Sequence, residues 1–377
     1  MKADSREFHN RSFVVDMHCD TVLPMQRGYD IAERHDTYHV DIPRLRDGGV
    51  DHVVFATTID SSDQDTRPFD QINRQLDALM RTIEKNPDAL MLCLHHADSL
   101  RAGEDGKIGV VLAVEGGHAL EKKPGNLGKL YRRGVRLMTI VHEHPTEWCV
   151  GWNEQNADIP GLSPLGREII AEMNSLGLMV DLSHSSSATV DAVCACTRQP
   201  VVASHSCAHA LCDHGRNLRD VQAKAIAATG GVIGVAFVSM FLSANYGLKT
   251  KEFWGLHPEE EKALMRLFVS TMDEINKQAE EKHYRAVLAN HKSYVASARP
   301  TVVDVANHVS YLAKLVGSDH VAIGSDYDGM TLPPLGLEDC SGMPNLTAEL
   351  VLRGYSPDDL RKIMGMNFLR VFKEVCG

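Results

Sequence analysis

The feature that most constrains the fold of this 377-residue chain is a repeated alternation of short apolar segments with stretches of helical periodicity. Repeated strand–helix–strand units imply parallel pairing of the strands. With about eight such units, the sequence predicts an α/β fold, a (β/α)8 TIM barrel formed by a single domain over residues 1–377. The predicted barrel strands are Phe13–Met17, Asp51–Thr57, Gly109–Val114, Val135–Val141, Leu178–Leu182, Pro200–Ala203, Val232–Val238 and His320–Ile323.

Two segments do not fit a plain eight-unit repeat. Leu90–Leu94 reads as a ninth strand, and we treat it as additional to the barrel. A polar helical insertion of about residues 239–300 follows strand 7. Loops at this end of a barrel often serve as lids or oligomer contacts, but a solvated helical excursion without a function fits the composition equally well.

Six of the eight predicted strands lead directly into a titratable side chain. In a TIM barrel the C-terminal ends of the strands converge on one mouth, where active sites lie. One such ending is commonly a turn former, but six together predict a functional cluster. The residues concerned are His18 with Asp20, Glu115, His142, His184, His205 and Asp326.

The number of candidate ligands exceeds what one metal ion needs. A catalytic zinc takes three protein ligands and a water molecule, whereas His18, Asp20, Glu115, His184 and His205 make five. Five ligands suit two ions if one carboxylate bridges them, and the two oxygens of a glutamate can do so. Histidine ligands without a thiolate cluster favour two Zn2+ ions, although manganese or cobalt could replace zinc. Such a pair can activate water and polarise an amide carbonyl.

Charge and hydropathy exclude several partner classes. Thirty-nine Lys and Arg against fifty Asp and Glu give a formal charge of −11, which argues against nucleic acid or an anionic membrane as a partner. Neither a signal-peptide pattern nor an apolar stretch long enough to span a membrane is present, so we expect a cytoplasmic protein. The nine cysteines lack paired CxxC spacing, which favours reduced thiols.

An ordered set of motifs resembles the membrane (renal) dipeptidases and their bacterial relatives within the amidohydrolase superfamily. The resemblance spans nearly the whole chain and implies a metal-dependent dipeptidase. In that family the equivalents of His18 and Asp20 bind the first zinc, Glu115 bridges, and His184 and His205 bind the second. The motifs are DMHCDT at 16–21, VEGGH at 114–118, TIVH at 139–142, DLSHS at 181–185, ASHS at 203–206, GRN at 215–217 and GSDYDG at 324–329.

The resemblance also implies roles for residues that are not metal ligands. Arg216 would bind the C-terminal carboxylate of the substrate, His142 would contact the scissile carbonyl, and Asp326 would transfer the proton. Asp328 is the alternative to Asp326, which we prefer because it lies closer to the strand. His118 and His144 lie close to the predicted site in sequence and could support it from behind the ligands. Trp152 follows the fourth barrel strand and could line the pocket or pack in the core.

Three functions remain compatible with the sequence. The first is hydrolysis of a small dipeptide, with tolerance of a D-residue at the C-terminal position, by a possible homodimer as in the family. The second is another amidohydrolase reaction on an N-acyl amino acid or a cyclic amide. The third is a catalytically silent ligand-binding barrel. The presence of all proposed ligands together with Asp326 argues against the third, since a binding protein needs no base beside a metal-bound water.

Overall fold

A computed structural model describes residues 2–59, 67–143, 146–153, 161–262 and 274–377, and it contains a parallel barrel. All pairings between its strands are parallel, and eight of the nine strands follow one another in chain order around the sheet. The strands are β1 (Val15–Cys19), β2 (His52–Thr58), β3 (Leu90–Leu92), β4 (Ile108–Glu115), β5 (Val135–Thr139), β6 (Met179–Asp181), β7 (Val202–Ala203), β8 (Val232–Val235) and β9 (Val321–Ile323).

The first and last strands close the barrel through backbone hydrogen bonds just beyond their C-terminal ends. The Asp326 amide donates to the His18 carbonyl at 3.1 Å, and the Asp20 amide donates to the Tyr327 carbonyl at 2.9 Å. β3 pairs only with β4 and lies off the barrel path, which confirms that Leu90–Leu92 is additional to the eight strands. The predicted (β/α)8 barrel is therefore confirmed.

Alternate residues of the strands pack into two separate apolar layers. Val111 and Ala113 on β4 belong to a cluster of small and medium side chains inside the barrel, whereas Leu112 and Val114 belong to the larger layer beneath the surrounding helices. This alternation follows from the two-residue period of a strand. Phe368 and Phe372 of the last helix join the inner cluster and fill the end of the barrel opposite the site.

Most helices lie between consecutive strands, as the alternating sequence pattern requires. A π-helical segment, Lys362–Met366, joins the last two of them. The α-helices are α1 (Lys2–Asn10), α2 (Val22–Gln26), α3 (Ile42–Asp47), α4 (Pro68–Lys85), α5 (His96–Glu104), α6 (Gly125–Arg132), α7 (Pro164–Leu176), α8 (Ser187–Cys194), α9 (Asp220–Ala228), α10 (Ser239–Leu242), α11 (Ala244–Leu256), α12 (Glu274–Tyr294), α13 (Val302–Val316), α14 (Met343–Leu352), α15 (Pro357–Arg361) and α16 (Asn367–Cys376).

Helices α10, α11 and α12 lie between β8 and β9, where the helical insertion is predicted. They have a small apolar cluster of their own, to which Tyr246, Val295, Ala298 and Leu332 contribute. Thr250 and the buried His291 join α11 to α12 through a contact of 3.2 Å between Oγ1 and Nε2. Within the described residues, none of the helices has the length and apolar character needed to cross a membrane.

Candidate metal centre and active site

The structure brings together the side chains that the sequence places at the strand ends. Glu115 is the last residue of β4, and His18 is the penultimate residue of β1. His142, His184 and His205 follow β5, β6 and β7 within three residues, and Asp326 follows β9 at the same spacing. All of these side chains lie at the C-terminal mouth of the barrel, where the active sites of such barrels are found.

The Glu115 carboxylate lies at the centre of the cluster. Its Oε1 is 3.4 Å from His18 Nε2, 3.1 Å from His184 Nε2 and 3.3 Å from His205 Nε2. His184 Nε2 and His205 Nε2 are 3.0 Å apart. The other oxygen, Oε2, is 3.7 Å from His142 Nε2. A single buried carboxylate therefore contacts four histidines from four different strands or strand ends.

A second set of ligand atoms lies on the β1 and β9 side. His18, Asp20 and Asp326 each offer an atom within 4.8 Å of the others, and His18 Nε2 is 3.6 Å from Asp20 Oδ1. Two further groups of the same compactness are His18 with Glu115 and His205, and Glu115 with His142 and His184. The groups overlap through His18 and Glu115, which makes the cluster continuous.

The spacing of these atoms fits metal ligation. Four ligands at 2.0–2.1 Å from a tetrahedral zinc are about 3.3 Å from one another, and the nitrogen and oxygen atoms around Glu115 Oε1 lie 3.0 to 3.4 Å apart. Among the described residues, His18 Nε2 and Asp20 Oδ1 are buried without a hydrogen-bond partner. Buried polar atoms normally have a hydrogen-bond partner. A bound cation would supply the partner that these two atoms lack.

The electrostatics of the site also favour a bound cation. Burial disfavours a charged His18, but Glu115 and Asp20 outweigh that effect and raise its pKa to about 10. Burial, followed by the Asp20 charge, raises the pKa of both Glu115 and Asp326. Burial lowers the pKa of His184 and His205, which keeps both imidazoles neutral, as metal ligands must be.

Two site residues adopt an uncommon backbone conformation. His184 has φ 64° and Asp326 has φ 65°, in the left-handed region that non-glycine residues rarely occupy. Such a conformation costs of order 1–3 kcal/mol and persists where the surrounding structure enforces it, often at functional sites. Here it turns each side chain back toward the barrel mouth directly after the strand.

Arg216 and His142 flank the cluster. The Arg216 side chain is buried, its Nη2 donates to the His205 carbonyl at 3.4 Å, and its Nε has no partner among the described residues. The amide of Arg216 donates to His214 Nδ1 at 3.2 Å, so His214 holds the Arg216 loop. Burial lowers the pKa of His142 to about 3 although 27% of its side chain is exposed, which makes it a neutral imidazole.

Asp328 occupies a different environment from Asp326. Its Oδ2 accepts from Thr21 Oγ1 at 2.6 Å and its Oδ1 accepts from the His39 amide at 2.6 Å. Asp328 therefore links the loops that follow β1 and β9. It belongs to none of the three groups of candidate metal ligands.

Three further residues are predicted to lie near the site, and the structure describes two of them. Trp152 is half-buried beside His214, with the ring centroids 5.5 Å apart. His118 is half-buried in a short 3-10 helix after β4. His144 lies outside the described residues.

Sequence reasoning missed two buried carboxylates behind the ligands. Asp16 accepts hydrogen bonds from the Ser325 amide and hydroxyl at 2.8 and 2.5 Å, and Asp181 makes the same pair of contacts with Ser204 at 2.8 and 2.6 Å. In each case the serine directly precedes a site residue, Asp326 or His205. The only signal in the sequence is an aspartate two or three residues before the ligand histidine, and that spacing alone does not reveal which serine it meets.

Comparison with known proteins identifies the family to which this chain belongs. A model of the membrane dipeptidase family (peptidase family M19) matches residues 2–376. Dipeptidase verJ from Clonostachys rogersoniana is 29% identical over 347 residues, which is 89% of this chain and 76% of that protein.

Two solved structures share the fold of this chain. The probable dipeptidase PvdM from Pseudomonas aeruginosa has a TM-score of 0.82 at 24% identity, over 99% of this chain and 98% of that one. A metallo peptidase from Rhodobacter sphaeroides, liganded with a phosphinate mimic of the dipeptide L-Ala-D-Ala, has a TM-score of 0.76 at 24% identity, over 97% and 99% of the two chains. Because the family model covers almost every residue, the chain belongs to the membrane dipeptidase family, peptidase family M19, and is a metal-dependent hydrolase of peptide bonds.

Proposed function

We propose that this protein is a binuclear zinc dipeptidase that accepts a D-residue at the C-terminal position of its substrate. The observation that carries the proposal is the cluster of imidazole nitrogens around Glu115 Oε1, at tetrahedral ligand spacing and next to the unpartnered Asp20 Oδ1. Three carboxyl groups, of Asp20, Glu115 and Asp326, together with neutral imidazoles make a donor set suited to more than one divalent cation.

The residues fall into two ligand sets that share Glu115. His18 and Asp20 would hold one ion, and His184 and His205, whose Nε2 atoms are 3.0 Å apart, would hold the other. When bound, two zinc ions lower the pKa of a water molecule and polarise the scissile carbonyl.

Three further side chains supply what the ions do not. The buried Arg216 guanidinium, with its free Nε, would bind the substrate carboxylate, since an arginine presents a planar fork of donors to that group. The neutral His142 would donate a hydrogen bond to the oxygen of the scissile carbonyl as its negative charge grows. Asp326 would hold the proton removed from the attacking water and deliver it to the leaving amine.

The proposed tolerance of a D-residue rests on a structural relative and on the form of the site. The Rhodobacter sphaeroides metallo peptidase binds a mimic of L-Ala-D-Ala, and its chain is matched over 99% of its length. A site that recognises the second residue mainly through its carboxylate, at Arg216, tolerates either configuration at the neighbouring carbon atom.

The test is hydrolysis of L-Ala-L-Ala, L-Ala-D-Ala, D-Ala-L-Ala and N-acetyl-L-Ala-L-Ala by zinc-loaded and by chelated protein, with zinc counted by mass spectrometry. We expect two zinc ions per chain, zinc-dependent cleavage of the free dipeptides, and L-Ala-D-Ala among the substrates. Faster turnover of the N-acetylated compound than of every free dipeptide would instead favour the N-acyl amino acid reaction. Binding of two zinc ions without cleavage of any of the four would keep the metal centre but overturn the proposed substrate, in favour of a different amide.

A further inference from the structure

The hydroxyl of Ser204 lies directly behind two of the proposed metal ligands. Ser204 follows β7, precedes His205 and is fully buried. Its Oγ is 2.8 Å from His205 Nδ1 and 3.4 Å from His18 Nδ1. One oxygen atom therefore contacts an imidazole from each proposed ligand set, on the side away from Glu115.

The hydrogen-bond donor of this hydroxyl is already committed to Asp181. The Asp181 carboxylate accepts from the Ser183 and Ser204 amides at Oδ1, at 3.0 and 2.8 Å. At Oδ2 it accepts from Thr139 Oγ1 and Ser204 Oγ, both at 2.6 Å. Four donors fill the roughly four lone-pair positions of a carboxylate, so Asp181 has no acceptor position left open.

With its proton directed at Asp181, Ser204 Oγ can only accept from the histidines. Acceptance from Nδ1–H of His205 leaves the lone pair of that neutral ring on Nε2, the atom 3.3 Å from Glu115 Oε1. His18 Nδ1 lies farther from Ser204 Oγ, at 3.4 Å, and the Ser183 hydroxyl, 3.3 Å from Ser204 Oγ, competes for the remaining lone pair. The effect is therefore strongest at His205.

We propose that Asp181 and Ser204 are positioning residues that fix the Nε2 ligand tautomer of His205 and, more weakly, of His18, and so couple the two halves of the metal centre. The proposal rests on the proposed function, in that both histidines bind metal. Partners of this kind behind a ligand histidine orient the ring and raise its basicity, and their loss typically lowers metal affinity about 10- to 100-fold.

The chain contains a matched control. Asp16 and Ser325 form the same carboxylate–serine contacts, with the Ser325 amide and hydroxyl at 2.8 and 2.5 Å from the carboxylate oxygens. The Ser325 hydroxyl also lies 3.3 Å from the His18 backbone carbonyl, so its contact with that ligand is to the main chain and not to the ring. The Ser325 hydroxyl also accepts from the Tyr327 amide at 3.0 Å. Ser325→Ala and Ser204→Ala therefore each remove a buried serine–aspartate hydrogen bond with its neighbouring contacts, but only Ser204→Ala removes a contact with an imidazole nitrogen.

The experiment compares zinc affinity, by competition with a chromophoric chelator, for wild type, Ser204→Ala, Ser325→Ala and Asp181→Asn. We expect about 10- to 100-fold weaker zinc binding for Ser204→Ala and Asp181→Asn, and less than about 3-fold for Ser325→Ala. Thermal unfolding of the chelated proteins should show similar losses for the two serine variants. Ser204→Cys, whose larger thiol keeps a weak acceptor at this position, should fall between wild type and Ser204→Ala.

The outcomes separate this proposal from the one on which it rests. Wild-type zinc affinity in Ser204→Ala would overturn the positioning role, and so would an equal loss in Ser325→Ala. Wild-type zinc affinity in Asp181→Asn would show that Asp181 has no part in the positioning role. If wild-type protein binds no zinc at all, the proposed metal centre fails, whatever the variants do.

Discussion

Asp326 and Asp328 show how two carboxylates two residues apart can serve different purposes. Asp326 lies within ligand distance of His18 and Asp20, where burial and the Asp20 charge raise its pKa. Asp328 is held by Thr21 and the His39 amide, and both of its oxygens are in use. A raised pKa and a position within the cluster, next to Asp20, suit proton transfer, whereas saturated hydrogen bonding suits a structural role.

Exchanging each carboxylate for an amide should separate these roles. Asp326→Asn removes the proton acceptor, so we expect kcat to fall about 10²- to 10⁴-fold while the zinc content stays at the wild-type value. Asp328→Asn should lower the free energy of unfolding by about 1–3 kcal/mol, because one buried contact is lost, and should change kcat only several-fold. Steady-state kinetics, zinc analysis and urea unfolding test both. A larger loss of kcat in Asp328→Asn than in Asp326→Asn, with zinc retained, would reverse the assignment.

At the scale of strands and helices, the sequence predicts where the ligands are but not what lies behind them. The apolar runs before His18, Glu115 and His205 end in parallel strands, and parallel strands must share a mouth, so the cluster follows from the pattern alone. The Asp181–Ser204 contact depends on β6 and β7 being neighbours in a particular register, which an apolar pattern does not encode.

The C-terminal ends of two strands also differ from the prediction. Val135–Val141 was predicted as one strand, but β5 ends at Thr139, and Ile140 donates its amide to the Asp181 carbonyl beyond it. The predicted strand over Val232–Val238 ends at Val235, and the Phe237 amide bonds to Ser325 instead. The chain leaves the regular backbone hydrogen-bonding pattern of the sheet at these points. The strand propensities of the residues do not indicate where that happens.

Two glycines allow strands β8 and β9 to approach the Ser204 backbone. A methyl group added at Gly234 or at Gly324 would collide with the Ser204 carbonyl, which is backbone and cannot rotate away. Neither position has a positive φ, so the requirement is for space. The absence of a side chain at these two residues is thus part of how His205 is placed.

Gly324→Ala should therefore disturb the site as well as the fold. We expect a loss of about 1–3 kcal/mol in the free energy of unfolding from overpacking, together with weaker zinc binding, because Ser204 must move. The matched control is Gly255→Ala in α11, where an added methyl meets nothing within 4 Å and a helical alanine is favoured. Denaturant unfolding and the chelator assay measure both effects. Unchanged zinc affinity in Gly324→Ala would show that the strands absorb the methyl group without moving Ser204.

For the molecule as a whole, buried histidines away from the site set a lower pH limit for stability. Burial lowers the pKa of His52 to about 3 and that of His308 to about 4, against an ordinary value of 6.5. In the folded protein these rings stay neutral, whereas the unfolded chain binds protons below pH 6.5. Their contribution to stability is complete above pH 6.5 and is lost as the pH falls toward the folded values.

His52 offers a way to measure this effect separately from zinc release. It lies among Phe13, Phe368 and Phe372, and its Nε2 is 3.1 Å from Ser99 Oγ. His52→Phe removes the titrating group together with that contact, and the loss of the contact is the same at both pH values. Between about pH 7 and pH 5.5, the wild type should lose about 1 kcal/mol of unfolding free energy relative to His52→Phe. Zinc release affects both proteins alike and cancels in the difference. Urea unfolding at the two pH values would contradict the interpretation if that difference did not change.

The closure of the barrel between β1 and β9 has a consequence for how the protein is made. The backbone that completes the surroundings of His18, at Asp326 and Tyr327, is synthesised some three hundred residues after His18 itself. A nascent chain that lacks the last strand has neither the closed mouth nor the full set of site carboxylates. Assembly of the complete site therefore has to wait until the β9 end of the barrel has been synthesised.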